Sequence, residues 1–202
     1  MNNYICINNQ KIGLSEDQVQ QIRGSFGLPL VKLEDVPVGE TCKVGNHEMI
    51  VLDRVDGASL LLRKELLRDA EEFGTNNNYD GSFADEICNE FAKEIAEIVG
   101  EDNILLHDVD LTADDGLKDY GIIRRKASLL TAEPARRYVD ILDKYKLDAW
   151  WWLATPYSTP KHGNSSWIKC VSPAGNVCNC SYFNVSGVRP FCILKSNIFV
   201  SK

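Results

Sequence analysis

Trp150-Trp151-Trp152-Leu153-Ala154-Thr155-Pro156, answered later in the chain by Gly187-Val188-Arg189-Pro190, is the stretch on which the fold turns. A run of tryptophans closed by leucine reads as a strand, because side chains of that size anchor a core. After a loop at Ala154-Thr155-Pro156, Trp167-Ile168-Lys169-Cys170-Val171 reads as a second strand. Pro173-Ala174-Gly175 then turns the chain into a third segment, Asn176 to Phe183. A last strand, Phe191 to Leu194, follows the Gly187–Pro190 run, with Ile198 to Val200 behind it. Trp150, Trp151, Trp152, Trp167, Gly187, Arg189 and Pro190 are the expected structural anchors. For Arg189 the expected partner is a backbone carbonyl or a carboxylate from the acidic part of the chain.

Upstream of this segment the pattern is that of an α+β protein. Tyr4 to Ile12 predicts two short strands around Asn8-Asn9. A helix from Glu16 to Gly24 follows, with Ser15 as N-cap, Gln18 completing a capping box, and Val19, Ile22 and Phe26 on one face. Residues 1–33 form a hairpin–helix unit too small to be stable alone, so it must dock or drive assembly. The main domain is expected over 36–202. It opens with an antiparallel trio, Glu40–Val44, Met49–Asp53 and Ala58–Arg63, turning at Gly45-Asn46 and Asp56-Gly57. Glu71 to Gly81 reads as a polar loop. Ser82 caps an amphipathic helix with the stripe Phe83, Ile87, Phe91, Ile95 and Ile98, ended by Gly100. Thr131 caps a second helix, Ala132 to Tyr145, burying Ala135, Tyr138, Val139 and Leu142.

Charge restricts the chemistry. The net charge is −7, yet Ala149 to Lys202 holds no Asp or Glu and five cations, which leaves −12 on the remainder. Phosphate neutralisation drives nucleic-acid binding, so neither the acidic part nor five scattered cations suits it. The C-terminal segment also lacks the anionic oxygens that a hard cation wants, and any carboxylate pair for acid–base catalysis. Asp108, Asp110, Asp114 and Asp115 lack the spacing of an EF-hand loop and read as a solvated loop. No metal or cofactor is expected. No apolar stretch approaches the roughly 18 residues of a membrane span. The start, Met1-Asn2-Asn3-Tyr4-Ile5-Cys6, shows no basic and apolar leader, so synthesis in a cytoplasm is expected. For the seven cysteines, free thiols are then the expected state.

The tryptophan strand, Gly175 and Gly187-Val188-Arg189-Pro190 together resemble the C-terminal signature of a bacterial and phage domain, usually written WWLRSP followed by GVRP. Val38-Gly39-Glu40, Val51-Leu52-Asp53, Asp110-Leu111-Thr112 and Ser128-Leu129-Leu130-Thr131 fall in the same order, so the resemblance spans Val36 to Lys202. Ala154-Thr155-Pro156 departs from the commoner Arg-Ser-Pro. Such domains, common in Firmicutes and gut viromes, look like C-type-lectin folds related to formylglycine-generating-enzyme-like domains. The resemblance implies a C-type-lectin-like fold with two main helices and antiparallel strands. Several similar proteins are variable proteins of diversity-generating retroelements, in which adenine-directed mutagenesis rewrites Asn-type codons near the 3′ end. By that likeness this chain is a non-enzymatic ligand-binding protein, displayed on a virion or cell surface, whose target is a variable macromolecule, either protein or surface glycan.

Rewriting the first two bases of an Asn codon reaches every residue except Trp, Lys, Gln, Glu and Met. All of Asn176 to Ser186 passes, as do Tyr157, His162, Asn164, Ser165, Ser166 and Ile168. The expected variable region is 150–194, with Tyr157, His162, Asn164, Ser165, Ser166, Ile168, Cys178, Asn179, Cys180, Ser181, Tyr182, Phe183, Asn184 and Ser186 on its face. Tyr, Ser and Asn suit such a surface, rigid aromatic area beside small hydrogen-bonding groups. Tyr182 and Phe183 fit a strand core equally well by pattern; the resemblance places them outside. Cys178-x-Cys180 lacks metal or redox spacing and reads as a chance pair. His162, with no carboxylate near in sequence, reads as a surface loop residue. Two alternatives stand beside this one. One is an enzyme on the same fold using Cys178, Cys180 or Cys192 with His162 or His107. The other is a structural phage or cell-envelope component assembled through Met1 to Leu30.

Overall fold

The computed structural model describes residues 3–7, 10–15, 18, 19, 22 and 30–201. Strands β1 (Asn3–Ile7) and β2 (Gln10–Leu14) pair antiparallel with Ile7 opposite Gln10, as the hairpin pattern predicts. The capping box is formed: Ser15 Oγ accepts from the Gln18 amide at 3.2 Å, and Gln18 Oε1 accepts from the Ser15 amide at 2.8 Å. Gln18, Val19 and Ile22 are helical; the rest of that predicted helix, Phe26 included, lies outside the described residues.

Four strands follow, β3 (Leu30–Lys32), β4 (Thr41–Val44), β5 (His47–Val55) and β6 (Ala58–Arg63). The antiparallel trio is therefore present, and its turns use the left-handed region that glycine reaches without strain, with φ 59° at Gly45 and 77° at Gly57. Strand β7 (Arg68–Glu72) precedes helix α1 (Phe83–Val99), capped by Ser82 and closed by Gly100 at φ 91°. Then come β8 (Ile104–Leu105), β9 (His107–Asp110), β10 (Ile122–Arg125), β11 (Ala127–Ser128) and the short helices α2 (Ala132–Arg137) and α3 (Val139–Lys144). The tryptophan segment forms β12 (Trp151–Pro156), β13 (Trp167–Val171), β14 (Val177–Ser181), β15 (Val185–Val188), β16 (Phe191–Lys195) and β17 (Phe199–Ser201).

The result is mixed α+β and mostly antiparallel, with three α-helices within residues 30–201 and a curled half-barrel sheet. The large sheet runs β11-β16-β6-β5-β4-β17-β3, with β8 also on β16; a smaller one runs β14-β13-β12-β15-β7. Because β3 pairs with β17, the large sheet begins at Leu30, inside the stretch assigned to the N-terminal unit.

Four details differ from the sequence reading. Helix α1 buries Ala84, Cys88, Phe91, Ala92 and Ile95, while Phe83 and Ile98 are exposed. At 3.6 residues per turn the fourth-residue spacing drifts around the helix, and the small Ala84 and Ala92 mark the side that sits close to the core. The second helix is broken at Tyr138 (φ −99°, ψ 23°), whose hydroxyl donates to Asp53 at 2.9 Å, and Val139 is exposed. Thr131 makes no side-chain cap; the Ala132 amide donates instead to Thr155 Oγ1 at 2.9 Å. The polar loop is no solvated loop at its centre, since Phe73, Asn77 and Tyr79 are fully buried.

Candidate binding face

Beneath the predicted face lies a strand with no free side. Successive residues of β12 alternate across the small sheet, so Trp151 and Trp152 enter two different cores. Trp152 meets Phe73 edge-on at 5.6 Å and donates its indole N–H to Glu71 O at 2.9 Å. Trp151 lies under the Arg189 guanidinium, 5.1 Å from the ring centroid. Arg189 is buried and donates to Arg63 O at 2.9 Å, Lys64 O at 2.7 Å and Tyr145 O at 3.3 Å. These are the backbone partners expected of it, and burial pushes its pKa down to about 10. The Gly187 amide donates to Trp150 O at 2.7 Å, and a Cβ there would stand 2.4 Å from Leu66 Cδ1. That close approach explains the glycine.

Two predicted anchors do not behave as such. Trp150 is 43% exposed and Trp167 44% exposed. Trp150 precedes β12 and escapes its packing, while Trp167 opens β13, whose remaining residues are all buried.

The predicted ligand-contacting residues divide by exposure. Tyr157, His162, Ser166, Asn179, Phe183 and Asn184 are exposed, Phe183 at 62%. Asn164, Ser165 and Tyr182 are half-buried, with Tyr182 packed against the Trp152 core and edge-on to Phe183 at 5.3 Å. Ile168, Ser181 and Ser186 are buried and leave the face. Ile168 points to the Trp152 core, Ser181 donates to Ser166 O at 3.3 Å, and Ser186 lies in β15 between β12 and β7. Cys178 and Cys180 are half-buried on that same inner side. Cys180 forms a disulfide with Cys170, which corrects the expectation of free thiols at these two positions, while Cys42, Cys88, Cys178 and Cys192 carry free thiols.

The acidic loop between β9 and β10 was read as solvated, yet its carboxylates hold this face in place. Lys169 is buried and reaches Asp114 at 2.7 Å, which also pairs with Arg136 at 3.0 Å; the Lys169 ammonium stands 5.6 Å over the Tyr157 ring. Burial pushes the Asp114 carboxyl up, and the Lys169 and Arg136 hydrogen bonds together bring it below its usual range. Asp115 accepts from Ser158 Oγ at 2.6 Å and lies 3.1 Å from His162 Nδ1, so a carboxylate does orient His162 after all. The Ser158 hydrogen bond leads the effects that lower the Asp115 pKa. Asp119 accepts from Thr159 at 2.9 Å. From the buried loop, Asn77 donates to Ser158 O at 2.9 Å and Trp167 O at 2.8 Å. The sequence reading misses Asn77, Asp119 and Lys169 and weighs Asp114 and Asp115 only as a calcium loop, since the partners of all five lie tens of residues away.

Ser158 and His162 share one Asp115 oxygen rather than facing each other. Cys192 is fully buried and burial pushes its thiol up to about 12, which keeps it protonated at neutral pH. His107 bonds Ser128 Oγ at 2.9 Å and is pushed down to about 4 by burial. Among the described residues no three His, Cys, Asp or Glu side chains gather as a metal site requires, and no helix is long and apolar enough to cross a membrane. No family model, curated protein or solved structure matches the chain.

Proposed function

We propose that the chain is a ligand-binding protein with a C-type-lectin-like domain, whose face of interchangeable side chains, diversified by a retroelement, meets a variable protein or surface-glycan target. The observation that carries this reading is the separation of roles along β12–β14. Tyr157, Asn179, Phe183 and Asn184 are exposed, while Trp151, Trp152, Ile168 and Arg189 are buried. A position can change identity freely only where no packed neighbour feels the change, because interiors respond even to one methylene. The exposed set offers rigid aromatic area beside amides and hydroxyls, the composition of an adaptable recognition surface. The thiol-dependent reading loses Cys192, which is buried, and Cys180, which is bridged, and is left with Cys178 alone.

DNA beside the gene tests the proposal. A reverse-transcriptase gene and a near-copy of the 3′ region are expected, with mismatches at template adenines falling on codons for exposed positions such as Tyr157, Asn179, Phe183 and Asn184. Absence of the repeat, or mismatches at Trp152 or Gly187, would refute diversification.

A further inference from the structure

Three cysteines converge on one side of the β13–β14 hairpin. The register places Cys178 directly opposite Cys170 and Cys180 opposite Ile168, one step further along the same face. Cys170 is bridged to Cys180, diagonally, with a Cα–Cα separation of 6.2 Å. Cys178 carries a free thiol, half-buried, whose Sγ reaches Asn176 O at 3.5 Å. Cys178, Cys180 and Tyr182 share the side that packs on the core holding Cys170. Directly opposed residues of an antiparallel pair lie roughly 4.5–5.5 Å apart at Cα. That distance falls inside the range of about 4.4–6.8 Å that a disulfide spans. Cys170 therefore has two partners in reach, and the free one sits beside the existing bridge.

We propose that this hairpin is a thiol–disulfide exchange site in which the Cys178 thiolate attacks Cys170 Sγ. The Cys170–Cys178 bond forms as the Cys170–Cys180 bond breaks, and Cys180 leaves as a thiolate that takes up the proton Cys178 gave to solvent. One disulfide is present before and after, so no external oxidant or reductant is consumed. The move relocates the clip toward the turn at Pro173–Gly175 and frees the end of β14 that leads into Tyr182 and Phe183. The exchange thus sets which thiol of β14 faces an incoming reagent and how firmly the neighbouring aromatic pair is held. It stands on the hairpin's own chemistry, whatever ligand the outer face takes.

The test uses the full chain, air-oxidised, held at mildly alkaline pH, then acid-quenched and labelled with N-ethylmaleimide under denaturing conditions. Fragmentation of the peptide holding Cys170, Cys178 and Cys180 locates the label. The expected result is label on Cys178 in some molecules and on Cys180 in others, the Cys180 share growing with time at alkaline pH. Cys180→Ser is expected to oxidise to a Cys170–Cys178 bridge, and Cys178→Ser to hold all its label off Cys180. Label confined to Cys178 in the unaltered chain after long incubation overturns the proposal, whatever the variants do. So does label on all three cysteines, which would mean that no bridge forms.

Discussion

Individual residues here owe their states to burial more than to charge partners. Arg189 keeps a guanidinium inside the protein by spending its donors on three backbone carbonyls and its flat face on Trp151. His107 resolves the same problem the other way, staying neutral beside Ser128 and Phe191 with its pKa lowered from 6.5 to about 4. The sign of its effect on stability follows directly. Above the ordinary value both folded and unfolded chains hold it neutral and nothing is lost. As pH falls from 6.5 toward 4 the unfolded chain takes a proton that the folded chain refuses, so stability drops. The full shift corresponds to about 3 kcal/mol. The lowered carboxylates Asp114 and Asp115 contribute from their ordinary 3.8 downward, in a different window. Urea midpoints for His107→Gln are therefore expected to change less than wild type between about pH 7 and about pH 4.5. Parallel declines in the two proteins would show that His107 carries no such penalty.

At the scale of elements, what the sequence revealed was whatever depends on neighbours along the chain. Turns at Gly45-Asn46 and Asp56-Gly57, the Ser15–Gln18 capping box, the Ser82 cap and the strands Ala58–Arg63 and Trp167–Val171 are local, and they fall where the pattern puts them. What depends on distant partners was not legible. The break at Tyr138 answers to Asp53, the buried Asn77 to Ser158 and Trp167, and Lys169 to Asp114. The Cys170–Cys180 bridge is an intermediate case: once the turn at Pro173–Gly175 is accepted, pairing Val171 with Val177 already sets Cys170 against Cys178 and beside Cys180. Strand β15 supplies a prediction at this scale, since its approach to Leu66 leaves no room for a side chain at position 187. Gly187→Ala should destabilise by about 1–3 kcal/mol through overpacking. Adding Leu66→Ala should then cost less than in the wild-type background, because the clash is relieved. Strict additivity in denaturant midpoints would contradict that packing.

Across the whole molecule the division of labour is spatial. A large antiparallel sheet with helix α1 makes one core, and β12 separates two others. The acidic part of the chain supplies the carboxylates that the C-terminal segment lacks, and through Asp114, Asp115 and Asp119 it fixes the loop and strand bearing Tyr157, His162 and Trp167. The charge asymmetry visible in the sequence thus serves the internal mounting of one segment on another. The outer surface is left to side chains that make few demands on the fold. Denaturant unfolding of two variant sets measures that claim most directly, one replacing Tyr157, Asn179, Phe183 and Asn184 singly by serine, the other truncating Trp152 and Ile168 to alanine. Each outer replacement is expected to shift stability by no more than about 0.5 kcal/mol. Truncation beneath them is expected to cost about 3–5 kcal/mol at Trp152 and about 2–5 kcal/mol at Ile168. Losses at the outer positions as large as those at Trp152 and Ile168 would contradict the account.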